Sequence, residues 1–216
     1  EDNDIDIVVS DVMMPLMNGL ELCAKIKNNI EYSHIPVILL TAKVLPEAKV
    51  EGFSYGADAY VEKPFTILQL HMQIRNLLKL RTTFQQHMTS FLPDAKPEEK
   101  EEEETGIQLT PQDQEFIKKM QEIIEQQLAD ESFSIDTLAA EMNMSRSNFY
   151  RKLKALSGMP PNDYLKNCRL NKAAQLLKEG YRVTEVFERT GFGSSSYFAK
   201  CFKAKFGVLP KDYISN

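Results

Sequence analysis

Apolar residues recur along the first third of the chain in two alternating rhythms. The short continuous runs "IDIVV" (5–9), "PVILL" (36–40) and "AYV" (59–61) read as buried strands. Between and after them the period lengthens. "GLELCAKIKNN" (19–29) places Leu20, Cys23, Ala24 and Ile26 on one helical side, "PEAKVEGFSYG" (46–56) predicts a short helix ended by Gly56, and "TILQLHMQIRNLLKL" (66–80) predicts a helix that runs on past Phe84. Strands alternating with helices predict a parallel sheet with helices on its faces. Beyond residue 110 the pattern is helical throughout. "PQDQEFIKKMQEIIEQQL" (111–128) starts on Pro111 and turns Phe116, Met120, Ile123, Ile124 and Leu128 inward. "PNDYLKNCRLNKAAQLLKEG" (161–180) reads as one long helix.

On either side of that long helix the chain repeats itself. Ile135, Leu138 and Asn143 recur 48 residues later as Val183, Val186 and Gly191. Ser145, Phe149, Leu153, Gly158, Pro161 and Tyr164 recur 49 residues later as Ser194, Phe198, Phe202, Gly207, Pro210 and Tyr213, with Gly193 as the inserted residue. Each copy reads as helix, tight turn, helix. Asn143 and Gly191 suit the left-handed turn position, and Ser145 and Ser194 suit the N-cap of the second helix. Phe149 with Leu153, and Phe198 with Phe202, are spaced i, i+4 toward a core. That spacing turns Arg146, Ser147, Tyr150, Arg151 and Lys154 outward in the first copy, and Ser195, Ser196, Ala199, Lys200 and Lys203 outward in the second.

Charge sharpens this picture. Residues 1–106 hold 10 Lys+Arg against 18 Asp+Glu, a net −8, whereas residues 144–216 hold 14 against 5, a net +9. The basic part suits a polyanion and the acidic part repels one. Exposed Arg, Lys and Ser along the second helix of a helix-turn-helix suit a major-groove reader of double-stranded DNA. Arg151 is placed to reach a base edge, with guanine its best partner. Ser195, Ser196 and Ala199 have little base-reading power, so specificity is expected to lie mainly in the first copy, with the second, whose DNA-binding candidates are Ser194, Ser195, Ser196, Lys200 and Lys203, acting more as a backbone clamp. The alternative is a pair of helical hairpins with solvated charged faces. Between the halves, "LPDAKPEEKEEEETG" (92–106) reads as a solvated acidic linker or, alternatively, as an acidic mimic that shields the basic domain.

Other classes are excluded. No apolar run approaches the ~18 residues of a membrane span. Cys23, Cys168, Cys201 and the three histidines are scattered, which fits neither a disulfide set nor a metal cluster. The chemistry that remains lies at the strand ends of the first half, where sites form in parallel sheets. Asp11, Thr41 and Lys63 each sit just past one predicted strand. A carboxylate can attack a phosphoryl group, a hydroxyl can hydrogen-bond the new phosphate, and an ammonium can neutralise it. Together the three favour a phosphoacceptor site. A phosphatase with Asp11 as nucleophile would want a second acid two residues on, and that position is Met13.

"DIVVSDVMMPLMNGLELC", "PVILLTA" and "GADAYVEKPF" resemble the receiver domain of bacterial response regulators. The resemblance implies that Asp11 is phosphorylated, that Thr41 and Lys63 sense the phosphate, and that Tyr60 is an aromatic switch. It implies magnesium in the intact receiver, bound by Asp11 and the Met13 carbonyl, and a cis Lys63–Pro64 bond. The family's acidic magnesium pair lies on an earlier strand, which has no counterpart here. The first half therefore reads as a truncated receiver, an α/β flavodoxin-like remnant at 1–88. It is expected to be poorly stable unless a swap or dimer covers the exposed sheet edge, not to bind magnesium on its own, and to show weak or no magnesium-dependent phosphorylation. "MSRSNFYRKLKALSGMPPNDYL" and "GFGSSSYFAKCFKAKFGVLPKDY" resemble the AraC-type DNA-binding domain, an all-α fold with two helix-turn-helix units, at 110–216 after a linker at 89–109. Phe187 stands where that family has a small residue, and overpacking of this kind typically costs ~1–3 kcal/mol.

The combination is similar to the C-terminal part of Bacteroidetes hybrid two-component regulators, which often control glycan-use genes. That implies a cytoplasmic, phosphorylation-controlled transcription regulator. It would have a histidine kinase domain as phosphodonor, promoter DNA as partner and a homodimer as its active form. The parent chain would carry the kinase and an inner-membrane anchor. The alternative is a constitutive DNA binder whose receiver remnant serves only dimerisation.

Overall fold

The computed structural model describes residues 5–42, 55–90 and 109–213. Both the predicted helix at 46–56 and the acidic stretch at 92–106 fall on residues outside these ranges, apart from Tyr55 and Gly56. The chain divides into two compact units. The first is built on a sheet and reaches Phe84, and the second contains everything from Lys118 onward.

In the first unit, β1 (Val8–Asp11), β2 (Val37–Thr41) and β3 (Ala59–Glu62) form a parallel sheet in the order β1-β2-β3. The register pairs Asp11 with Leu40 and Thr41 with Glu62, so all three strands end at one edge. α1 (Gly19–Lys27) follows β1, and α2 (Ile67–Ser90) follows β3 and runs past Phe84 as its periodicity predicts. Val37 and Leu39 point to one face and join Cys23 of α1 and Ala57 in a buried cluster, flanked by Val8, Leu20, Ile26 and Tyr60. α1 is fastened by a capping box between Asn18 and Glu21. Its other end is fastened by Lys27, which is buried. The ammonium lies 2.7 Å from Asp58 and donates to the Ile35 carbonyl at 3.0 Å, while Asp58 accepts from the Val37 N–H at 2.7 Å. This network gives the buried charge both a counter-ion and a carbonyl acceptor, as burial demands.

The second unit takes the helix α3 (Pro111–Gln127) from Lys118 onward, then holds α4 (Ile135–Glu141), α5 (Arg146–Ser157), α6 (Pro161–Lys178), α7 (Val183–Arg189) and α8 (Ser195–Phe206), and ends in a 3₁₀ turn (Pro210–Asp212). The repeat holds element by element. α4 and α7 are 7 residues each, and α5 and α8 are 12 residues each. Asn143 and Gly191 turn the chain with φ of 55° and 66°, and Gly158 and Gly207 end the second helices in left-handed conformation. Ser145 and Ser194 accept from the backbone N–H three residues on. α6 lies between the copies, and its 18 residues span roughly 27 Å at 1.5 Å per residue. Leu170, Ala173, Ala174, Leu176 and Leu177 of α6 form one core with Val186, Phe192, Phe198 and Phe202. Phe187 does not overpack that core. It packs half-buried at the margin, its ring 6.3 Å from that of Phe198.

Candidate functional site

Two sites emerge, one per unit. In the first, Asp11 is the last residue of β1, Thr41 the last of β2, and Lys63 follows β3 directly. The backbone continues the ladder past the strand ends: Val12 N–H donates to Leu40 O at 2.9 Å and Lys63 N–H to Thr41 O at 2.7 Å. This carries Lys63 to Asp11, and the ammonium pairs with one carboxylate oxygen. The other oxygen accepts the Met13 N–H at 3.1 Å. Hydrogen bonding to Lys63, with a smaller contribution from Met13, holds the Asp11 carboxyl below its usual range. Asp11 is therefore an ionised carboxylate at neutral pH, as a nucleophile must be. Thr41, at the end of the neighbouring strand β2, is half-buried. The Lys63–Pro64 bond is cis. Tyr60 turns inward against the Cys23–Val37–Leu39 cluster, and burial pushes its hydroxyl up to about 12.

Magnesium does not fit the described residues alone. Both Asp11 oxygens already have partners, and no group of three His, Cys, Asp or Glu side chains comes together among the described residues. A hard divalent cation needs more oxygen donors than Asp11 and the Met13 carbonyl supply.

One residue of this site escaped sequence reasoning. Gly19 donates its N–H to Val12 O at 2.9 Å, and this folds the 12–18 loop back under the carboxylate. A Cβ at Gly19 would lie 2.2 Å from the Asp11 carbonyl oxygen and 3.0 Å from Val12 Cα, both backbone atoms. Gly19→Ala is expected to destabilise the first unit by about 1–3 kcal/mol, the usual range for overpacking. Thermal melting checks this, and an unchanged transition would show that the loop yields freely.

In the second unit, α5 exposes Arg146, Ser147 and Lys154, while Tyr150 and Arg151 are half-buried rather than fully outward. Arg146 pairs with Asp136 of α4 at 3.0 Å. The Arg151 guanidinium hydrogen-bonds the Asn148 amide oxygen one turn earlier, which orients it along the helix. Lys152, the neighbour of Arg151, is fully buried. The N-cap Ser194 and, in α8, Ser195, Ser196, Lys200 and Lys203 are exposed, and Ala199 is half-buried. Tyr197 was missed. It is 53% exposed, its ring lies 6.2 Å from that of Phe192, and its hydroxyl is held above the usual range by a hydrogen bond with Cys201. The signal was available, since Tyr197 precedes the inward Phe198 and so faces away from the core.

A family model described as the response regulator receiver domain matches residues 1–75, and one described as a helix-turn-helix domain matches residues 138–216. The chain is 36% identical over 208 residues to Histidine kinase P4 of Formosa agariphila, covering 96% of this chain and 15% of that protein. It is 44% identical over 88 residues to the transcriptional regulatory protein YvrH of Bacillus subtilis, covering 41% of this chain and 35% of that one. Among solved structures, the C-terminal domain of the two-component response regulator yesN from Fusobacterium nucleatum is similar at 30% identity, covering 46% of this chain and 98% of that one with a TM-score of 0.44.

Residues 1–75 thus belong to the receiver-domain family of response regulators, and residues 138–216 to a helix-turn-helix domain family. Both matched segments are of non-enzymatic domain types. The chain spans about 15% of the length of its histidine-kinase relative. Receiver domains generally use magnesium for phosphorylation, and no described helix is long and apolar enough to cross a membrane.

Proposed function

We propose that the chain is the output end of a phosphorelay in which Asp11 accepts a phosphoryl group and the two helix-turn-helix units bind promoter DNA. The Asp11–Lys63 pair at the strand ends carries the first part of the reading. An Asp11 oxygen attacks phosphorus of a phosphohistidine, the P–N bond breaks with its electron pair going to the imidazole nitrogen, and an acyl phosphate forms. Lys63 then neutralises the added charge and the Thr41 hydroxyl donates to a phosphate oxygen. The kinase domain would lie in the same parent chain, a reading supported by the relative named a histidine kinase, which matches 96% of this chain. That parent would also hold any membrane anchor. Phosphorylation would favour a homodimer through Thr41 and Tyr60.

In the DNA-binding part, Arg151 and Arg146 would read bases from α5. Ser147, Tyr150, Lys154 and the α8 residues Ser194, Ser195, Ser196, Lys200 and Lys203 would hold phosphates. A duplex selected by the chain from a random-sequence pool provides the test. Arg151→Ala should narrow the gap between selected and scrambled duplex by about tenfold, the effect of losing one bidentate base contact. Lys203→Ala should weaken both duplexes alike and lower the salt slope by about one. Fluorescence anisotropy reads both. An unchanged preference in Arg151→Ala would remove its base-reading role.

A further inference from the structure

The turn that leads into the first helix-turn-helix and the turn inside the second one meet at a single side chain of α6. Arg169 donates from Nη2 to the carbonyls of Asp130 at 2.9 Å and Phe133 at 3.0 Å, residues 39 and 36 positions earlier. These carbonyls belong to the loop that enters α4. On its other side the guanidinium faces Gly191, the left-handed turn residue between α7 and α8. A Cβ at Gly191 would lie 3.0 Å from Arg169 Nε and only 2.4 Å from the Leu128 carbonyl oxygen. Next to it, a Cβ at Gly193 would lie 2.1 Å from a carboxylate oxygen of Glu131. The turn of the second helix-turn-helix therefore rests directly on the entry loop of the first, and Arg169 fills the joint. The guanidinium is half-buried there, and its Nε finds no acceptor.

We propose that Arg169 is a positioning residue that locks the two readers in one mutual orientation, so that the protein demands two major-groove segments at one fixed separation. α6 alone sets a length, but a helix attached at both ends through loops leaves each reader free to swivel. The joint removes that freedom because it ties the entry of one reader to the turn of the other. Both carbonyls accept from the one Nη2, whose two N–H donors lie in the plane of the rigid guanidinium, so the pair of bonds fixes the direction of the whole group. Arg169 touches no DNA in this arrangement; it acts on the separation the readers present. This rests on the two-reader interpretation of the second unit.

The test uses the full chain and a duplex selected by it from a random pool, with 1 to 5 base pairs inserted between the two contacted segments. Wild type should lose at least about tenfold in affinity when half a helical turn is inserted, because the second segment rotates to the far side of the duplex. Arg169→Ala should bind all spacings within about twofold of one another while keeping its preference for the first segment's sequence. Gly191→Ala, which opens the same joint from the opposite side, should behave alike and keeps the test available if Arg169→Ala melts below the assay temperature. An equal loss on every duplex, with the spacing preference intact, would make Arg169 a merely stabilising residue and overturn the proposal. A wild type indifferent to spacing would overturn the two-reader interpretation and the joint with it.

Discussion

Replacing Phe202 with alanine is expected to lower the stability of the helical unit by about 3–5 kcal/mol, the range for a fully buried phenylalanine. Phe202 is 0% exposed and sits at the hub of an aromatic cluster. The Phe198 ring meets it edge-on at 5.7 Å, Phe206 lies at 4.5 Å, and Tyr213 stands perpendicular at 5.2 Å. Such pairs add to area burial because ring edges and faces carry opposite partial charge. The cavity cannot close easily, since the surrounding rings come from α8 itself and from the 3₁₀ turn after it. Urea unfolding followed by far-UV circular dichroism measures the effect. A loss below about 1 kcal/mol would mean that Tyr213 and Phe206 collapse into the gap.

Replacing Asp11 with asparagine is expected to abolish phosphoryl uptake in the proposed parent chain. Asparagine keeps the shape but removes the anionic oxygen that attacks phosphorus, and it removes the partner of Lys63. Acid-stable and acid-labile phosphate are separated after incubation with phosphorylated kinase. The acyl phosphate should disappear in Asp11→Asn, and DNA binding should cease to respond to phosphodonor. Undiminished labelling would place the acceptor elsewhere. A DNA affinity that never responds to phosphodonor, in wild type or variant, would favour a constitutive binder whose receiver serves association. The 216-residue chain alone should label weakly, since no group of three metal-ligating side chains comes together among its described residues.

Much of this architecture was legible because it is written in local patterns. The strand ends could be read from three apolar runs, and a parallel sheet then places Asp11 and Lys63 at one edge, where they pair. The second unit was legible because it is written twice: Ser145 with Ser194, and Asn143 with Gly191, mark the same cap and turn in each copy. What escaped depends on contacts between distant residues. Nothing near Gly19 announces that Asp11's own carbonyl lies where its Cβ would be. Lys27 and Lys152 are of a residue type that is seldom buried, and both are buried. Lys27 gains Asp58 as partner across 31 positions, a pairing that no periodicity signals. Arg169 looked like another basic residue on a long helix, and its carbonyl partners lie on the other side of the first repeat. Phe187 shows the converse. Its size suggested crowding, but a half-buried edge position absorbs it.

The central claim is that the helical unit reads DNA through two recognition helices, α5 and α8, held on one face of the duplex. Hydroxyl-radical footprinting of the chain on its selected duplex tests this most directly. Two protected patches should appear on the same face, about 10 base pairs apart centre to centre. In Arg151→Ala the α5 patch should fade before the α8 patch as competitor DNA is added. A single patch, or uniform protection without a boundary, would contradict the account.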